Sequence, residues 1–195
     1  MLPFYLYTNP HAARNLLLYR YHTLPGAERN ARAMSLKGAK YAWMGPLTGV
    51  EQCESWDTGC CEVHVAADVA YAVWQYYLAS SDEGFIAEYG AEILIKTARY
   101  WVSRFTYEGE RDVYHMLFVK GPNEYGGVTQ NNTYTTMMAI YNLKAAQKAI
   151  DLVKRKDPVR WETLCKQIGF EEKEIDIWED IAQKAVIAYD PETDL

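Results

Sequence analysis

The chain has 195 residues, 49% hydrophobic and 24% charged, which is enough apolar material for a core and too much for whole-chain disorder. Its 20 Lys and Arg against 26 Asp and Glu leave a net charge of −6, which argues against a polyanion-binding surface and so against nucleic acid as a partner. No run of 18 apolar residues occurs, so no membrane span is expected, and no secretory leader pattern is read, so the expected setting is cytoplasmic.

In chain order, Asn9 is placed to cap a first helix, with Pro10 in its first turn, where a missing N–H costs nothing. Ala13, Leu16 and Leu17 give that helix an apolar face. A second helix restarts after Leu24-Pro25, with its interior over 27–36 and Gly38 as its stop. Residues 42–60 differ: Gly45-Pro46, Gly49 and Gly59 punctuate them and no helical or strand period persists. A compact domain keeps so long a loop mainly for function. Trp43 and Trp56 are its candidate stacking rings or, equally, its pins to the core. The four cysteines, Cys53, Cys60, Cys61 and Cys165, have the spacing of neither a zinc ribbon nor a disulfide framework, and buried thiols in a reducing compartment are expected.

The helical pattern returns from Cys61 to Leu78, and Ser80 with Glu83 matches a capping box before a long helix that reaches about Phe105. Val113 to Val119 reads as a short strand and Gly121 to Gly127 as a second special loop. Asn132 to Lys156 spells a long helix, Asp157-Pro158 opens another that Gly169 ends, and Ile175 to Val186 supply the last. About seven helices and one possible strand region predict an all-α fold of helical hairpins, arranged as a toroid or part of one in a single domain, 1–195.

Among the candidate chemical groups, Glu124 lies in Gly121-Pro122-Asn123-Glu124-Tyr125-Gly126-Gly127. Pro122 fixes one φ and the glycine pair permits a tight reversal, so the loop can hold a carboxyl at a set angle. Burial beside Tyr125 would favour the protonated acid, the donor a glycosidic oxygen needs as its bond breaks. A surface Glu in a turn is the competing reading. Glu51, Glu54, Asp57, Glu62 and Asp68 are further carboxylates, each either an acceptor for sugar hydroxyls or a structural or solvated group. Glu62 and His64 lack the helical spacing that points two ligands the same way, and His11, His22 and His115 add no metal motif, so no metal is expected. No Gly-x-Ser-x-Gly elbow or phosphate-cradling Gly-rich pattern occurs. Arg29, Arg32 and Lys37 read as one solvated helix face, and a helical interaction module is the non-catalytic alternative.

Several stretches together carry a resemblance. They are Met1-Leu2-Pro3-Phe4, residues 15–27, Lys37-Gly38-Ala39, Trp43, Thr48-Gly49, Glu62-Val63-His64 with Asp68-Val69-Ala70-Tyr71, Gly121-Pro122-Asn123-Glu124-Tyr125 and Asn131-Asn132-Thr133-Tyr134-Thr135. They resemble the central catalytic region of glycoside hydrolase family 65, which holds disaccharide phosphorylases and acid trehalases. The resemblance implies a partial (α/α)6 barrel, with Glu124 as general acid and Trp43, Met44, Glu51, Glu62, His64, Asn123 and Tyr125 as substrate-binding residues. It implies an inverting phosphorolysis, in which inorganic phosphate is co-substrate and an α-linked disaccharide or oligosaccharide yields β-glucose 1-phosphate without a cofactor. A trehalase-type hydrolysis by water is the alternative. Met44 stands where kojibiose-like members often have Glu, Ala66 where Thr is frequent, and Asn123 where Asp is common. The family's Phe-Trp-Asp-Thr-Glu segment and its downstream phosphate-binding region are not seen. The expectation is therefore a fragment with doubtful activity of its own; a non-catalytic helical fragment that self-associates through exposed barrel faces is a further alternative.

Overall fold

A computed structural model describes residues 2–53, 58–189 and 192. Helices dominate: α1 (Leu2–Thr8), α2 (Pro10–His22), α3 (Leu24–Ala33), α4 (Val65–Ser80), α5 (Glu83–Phe85), α6 (Ala91–Arg104), α7 (Thr133–Lys156), α8 (Pro158–Ile168) and α9 (Lys173–Lys184). A π turn, Ile86–Gly90, joins α5 to α6, and a 3-10 turn spans Thr58–Cys61. Between α6 and α7, β1 (Thr106–Glu108) and β2 (Val113–His115) form an antiparallel ribbon with Tyr107 opposite Tyr114. Val186 N donates to Tyr114 O at 2.9 Å, which docks the ribbon beside the end of α9.

Side-chain caps explain where α2, α7 and α8 begin. Asn9 Oδ1 accepts from Ala12 N at 3.1 Å, Asn132 Oδ1 from Thr135 N at 3.0 Å, and Asp157 Oδ1 from Arg160 N at 2.9 Å. Each satisfies one of the N–H groups a helix start leaves open. Asp157 ends α7 and caps α8, so a single residue turns that hairpin. Gly169 ends α8 at φ 59°, the left-handed conformation a helix terminus favours.

Packing centres on α7, which meets α4, α6, α8 and α9. Its Ala145, Ala146 and Ala149 are buried and let neighbouring helices approach closely. Asn142 is a buried polar residue of that seam. Its Oδ1 accepts from Trp101 Nε1 at 3.1 Å and its Nδ2 donates to Leu94 O at 3.2 Å, so this fully buried amide ties α7 to α6 with both ends satisfied.

Several boundaries differ from those the sequence predicts. The helix expected over 27–36 runs three residues earlier, because Met34 and Ser35 already close it and Ser35 sits at φ 59°. Gly38 serves packing instead of helix termination. At φ 75° its backbone lies against α6, where a Cβ would fall 2.3 Å from Lys96 O and Tyr100 N. The helix expected from Cys61 starts at Val65, since residues 58–61 are spent on the 3-10 turn. Asp82, not Ser80, caps the next helix. Asp82 Oδ1 accepts from Phe85 N at 2.9 Å, while Ser80 Oγ donates back to Tyr76 O at 2.7 Å. The cysteines are half-buried rather than buried. Among the described residues, no helix is long and apolar enough to cross a membrane.

Candidate active site

The first wall of the site is built by Glu51. Its backbone N–H donates to Asn30 Oδ1 at 2.8 Å, and Asn30 Nδ2 donates to Lys40 O and Gly49 O at 3.0 and 2.9 Å. The Glu51 carboxylate accepts from Lys40 Nζ at 2.8 Å, Trp43 N at 2.9 Å, Met44 N at 3.0 Å and Cys53 N at 3.3 Å. Burial pushes this carboxyl up, but the Lys40 ammonium and the loop N–H donors outweigh it and hold it below the ordinary glutamate value. Glu51 thus spends both oxygens on its own loop and fixes the backbone of Trp43 and Met44. The Met44 side chain points outward and is exposed.

Trp43 then packs edge-on to His64, with ring centroids 5.8 Å apart, and His64 packs edge-on to Tyr134 at 5.7 Å. Asp68, one turn along from His64, binds both neighbours: His64 Nδ1 lies 2.7 Å from Oδ2 and Tyr134 OH donates to Oδ1 at 2.7 Å. An ionised carboxylate only accepts, so in this contact Nδ1 is the donor. Burial, and after it the bond to Asp68, push the Tyr134 hydroxyl up to about 12, so it remains a donor at neutral pH.

Glu62 and His64 converge although they are two residues apart. Both precede α4, so helical geometry does not splay them, and Glu62 Oε2 lies 3.7 Å from His64 Nε2. Neither of these facing, buried atoms has a hydrogen-bond partner among the described residues. The other Glu62 oxygen, Oε1, meets Lys120 Nζ at 3.2 Å.

Lys120 opens the loop that carries Glu124. At the loop base Val119 and Thr129 exchange N–H···O bonds of 3.0 and 2.8 Å, and Lys120 N donates to Cys61 O at 3.0 Å. Gly121 presses on the α7 cap, where a Cβ would come within 2.6 Å of Asn132 Nδ2. Beyond the base, Asn123 makes the turn: its Oδ1 accepts from Tyr125 N at 3.2 Å and its carbonyl from Gly126 N at 3.0 Å. Residues 122–130 are exposed, and the Tyr125 ring is fully so. The expected burial of Glu124 beside Tyr125 does not occur, because the Asn123 turn sends both side chains outward and no described element covers them.

The structure therefore joins Trp43, Glu62 and His64 of the expected substrate-binding residues into one wall, uses Glu51 to hold it, and leaves Met44, Asn123, Glu124 and Tyr125 facing solvent. Trp56, Glu54 and Asp57 lie outside the described residues. Lys40 and Lys120 are missed by sequence reasoning. Their signal is a lysine at the edge of a Gly-punctuated loop that carries carboxylates and no other basic residue. A separate groove of about 590 Å³, lined by Lys37, Lys96, Arg99, Glu174 and Trp178 among others, shares no residue with this wall. Its Lys96 and Arg99 are taken up by Glu28, Glu92 and Glu174. Among the described residues, no group of three or more His, Cys, Asp or Glu is placed to hold a metal ion.

Comparison with known proteins gives a consistent set of matches. The profile of the glycosyl hydrolase family 65 central catalytic domain matches residues 1–195. The kojibiose phosphorylase of Thermoanaerobacter brockii is 37% identical over 206 residues, covering 100% of this chain and 27% of that protein. The alpha,alpha-trehalose phosphorylase of Geobacillus stearothermophilus is 37% identical, covering 98% and 25%. A solved structure from the human microbiome, named as a candidate kojibiose phosphorylase, superposes with a TM-score of 0.87 at 30% identity, over 98% of this chain and 28% of that one. The chain thus spans about a quarter of the length of the curated relatives it matches.

Proposed function

This chain belongs to glycosyl hydrolase family 65, and from that membership we propose that it supplies the acid loop and one sugar-facing wall of an inverting α-glucoside phosphorylase. Its helical hairpins are part of an (α/α)6 barrel. In the proposed reaction an α-linked disaccharide lies between the Trp43–His64–Tyr134 wall and the Glu124 loop. Inorganic phosphate attacks the anomeric carbon from the face opposite the leaving oxygen. The glycosidic C–O bond breaks, its electron pair stays on oxygen, and Glu124 delivers a proton there. The products are β-glucose 1-phosphate and the free acceptor, and Glu124 is left as a carboxylate to be reprotonated. A sugar ring seated over the loop displaces water from the breaking bond.

The observation that carries this reading is the tether between loop and wall: Lys120, four residues before Glu124, is bound through Glu62 to the segment that places His64 against Trp43. Trp43 offers a ring to the leaving sugar. Exposed Met44 offers no polar contact there, so the acceptor preference is expected to differ from that of relatives with a carboxylate at this place. The test is product analysis on the full-length protein bearing residues 1–195. With kojibiose, trehalose or maltose, proton NMR should show β-glucose 1-phosphate only when phosphate is present. Phosphate-independent release of glucose would reject phosphorolysis in favour of hydrolysis.

A further inference from the structure

We propose that Lys120 is a positioning residue for the acid loop, acting through the buried carboxylate of Glu62; this rests on the reading of Glu124 as the acid. Glu62 and Lys120 are only 2% and 8% exposed, yet they form an ion pair at 3.2 Å. Such a pair costs desolvation that two apolar side chains would not, so stability alone is a poor reason for having it. Its geometry supplies a better one. Lys120 grips the 61–62 segment twice, by its backbone N–H on Cys61 O and by its ammonium on Glu62 Oε1. Among the described residues Glu62 meets no other lysine or arginine, and its second oxygen is unpartnered beside His64. The loop beyond Lys120 is exposed, and the Asn123 turn is what braces it from within. The direction of Glu124 relative to the wall is therefore set at the loop base. The inward-reaching lysine ties that base to Glu62, whose other oxygen faces His64. Loss of the ammonium leaves a buried carboxylate uncompensated, and the base must shift to let water or another donor reach it.

The experiment compares Lys120→Met, Lys120→Gln and Lys120→Arg in the full-length protein on two donors. One is a disaccharide, whose leaving oxygen needs a proton; the other is α-glucosyl fluoride, whose leaving group does not. Lys120→Gln keeps a hydrogen-bond donor for Glu62, so a soluble variant is available even if Lys120→Met fails to fold. A displaced acid should lower kcat on the disaccharide about 10- to 100-fold, with KM little changed and fluoride turnover within about threefold of wild type. Lys120→Arg should restore most of the loss. Equal losses on both donors, or no rescue by arginine, would show a merely structural lysine and overturn the proposal. Wild-type turnover in Lys120→Gln beside an inactive Glu124→Gln overturns it alone. Normal disaccharide turnover in Glu124→Gln overturns the acid reading and this proposal with it.

Discussion

Glu51 shows what a single carboxylate does in a loop without regular structure. It gathers the Lys40 ammonium and three backbone N–H groups, so the chain from Lys40 to Cys53 closes around it. Because its folded value lies below its unfolded one, its contribution is complete above the ordinary glutamate value and is lost as pH falls through the lowered folded value. The Trp43 indole NMR signal should therefore stay at its neutral-pH position through the ordinary glutamate range and move only below it. Movement within that range would show that the carboxylate is not so held. Glu51→Gln should remove the acid transition and broaden the Trp43 signal at neutral pH. The sequence marks Glu51 as a carboxylate in a special loop, but not as its hub. Its partners are set by the path of an aperiodic segment, and no spacing rule predicts that path. The same limit hides Lys120, whose partner is 58 positions away in the chain.

At the scale of elements, α7 links core to site. Its alanine-rich stripe packs the bundle, its Asn142 ties it to α6, and its cap, Asn132, supports Gly121 at the base of the Glu124 loop. Asn132 Oδ1 accepts from both Thr135 N and Thr135 Oγ1 at 3.0 Å. Asn132→Ala should cost about 0.5–2 kcal/mol in denaturant unfolding and raise amide exchange at Thr135 and Val119 together. Unchanged exchange at Val119 would show that cap and loop base are uncoupled. The long helices are legible in the sequence because their apolar positions repeat with the helical period over three or more turns. α1 is not, since seven residues hold barely two turns. The β-ribbon is legible only in its second strand, and there only in part: strand is expected over 113–119, whereas β2 ends at His115 and both strands are three-residue pieces that depend on each other.

At the scale of the molecule, the chain is a set of hairpins carrying one wall and one loop of a proposed catalytic centre, and it spans about a quarter of the relatives' length. Membership in the barrel family is legible from stretches scattered along nearly the whole sequence. The exposure of Glu124 is not, because burial is decided by which elements pack over a loop and not by the loop's own residues. The central claim is proton delivery by Glu124, and the most direct measurement is the turnover of Glu124→Gln in the full-length protein on a disaccharide and on α-glucosyl fluoride, both with phosphate. Disaccharide turnover should fall about 100- to 10,000-fold while fluoride turnover stays near wild type; disaccharide turnover near wild type in the folded variant would contradict the account.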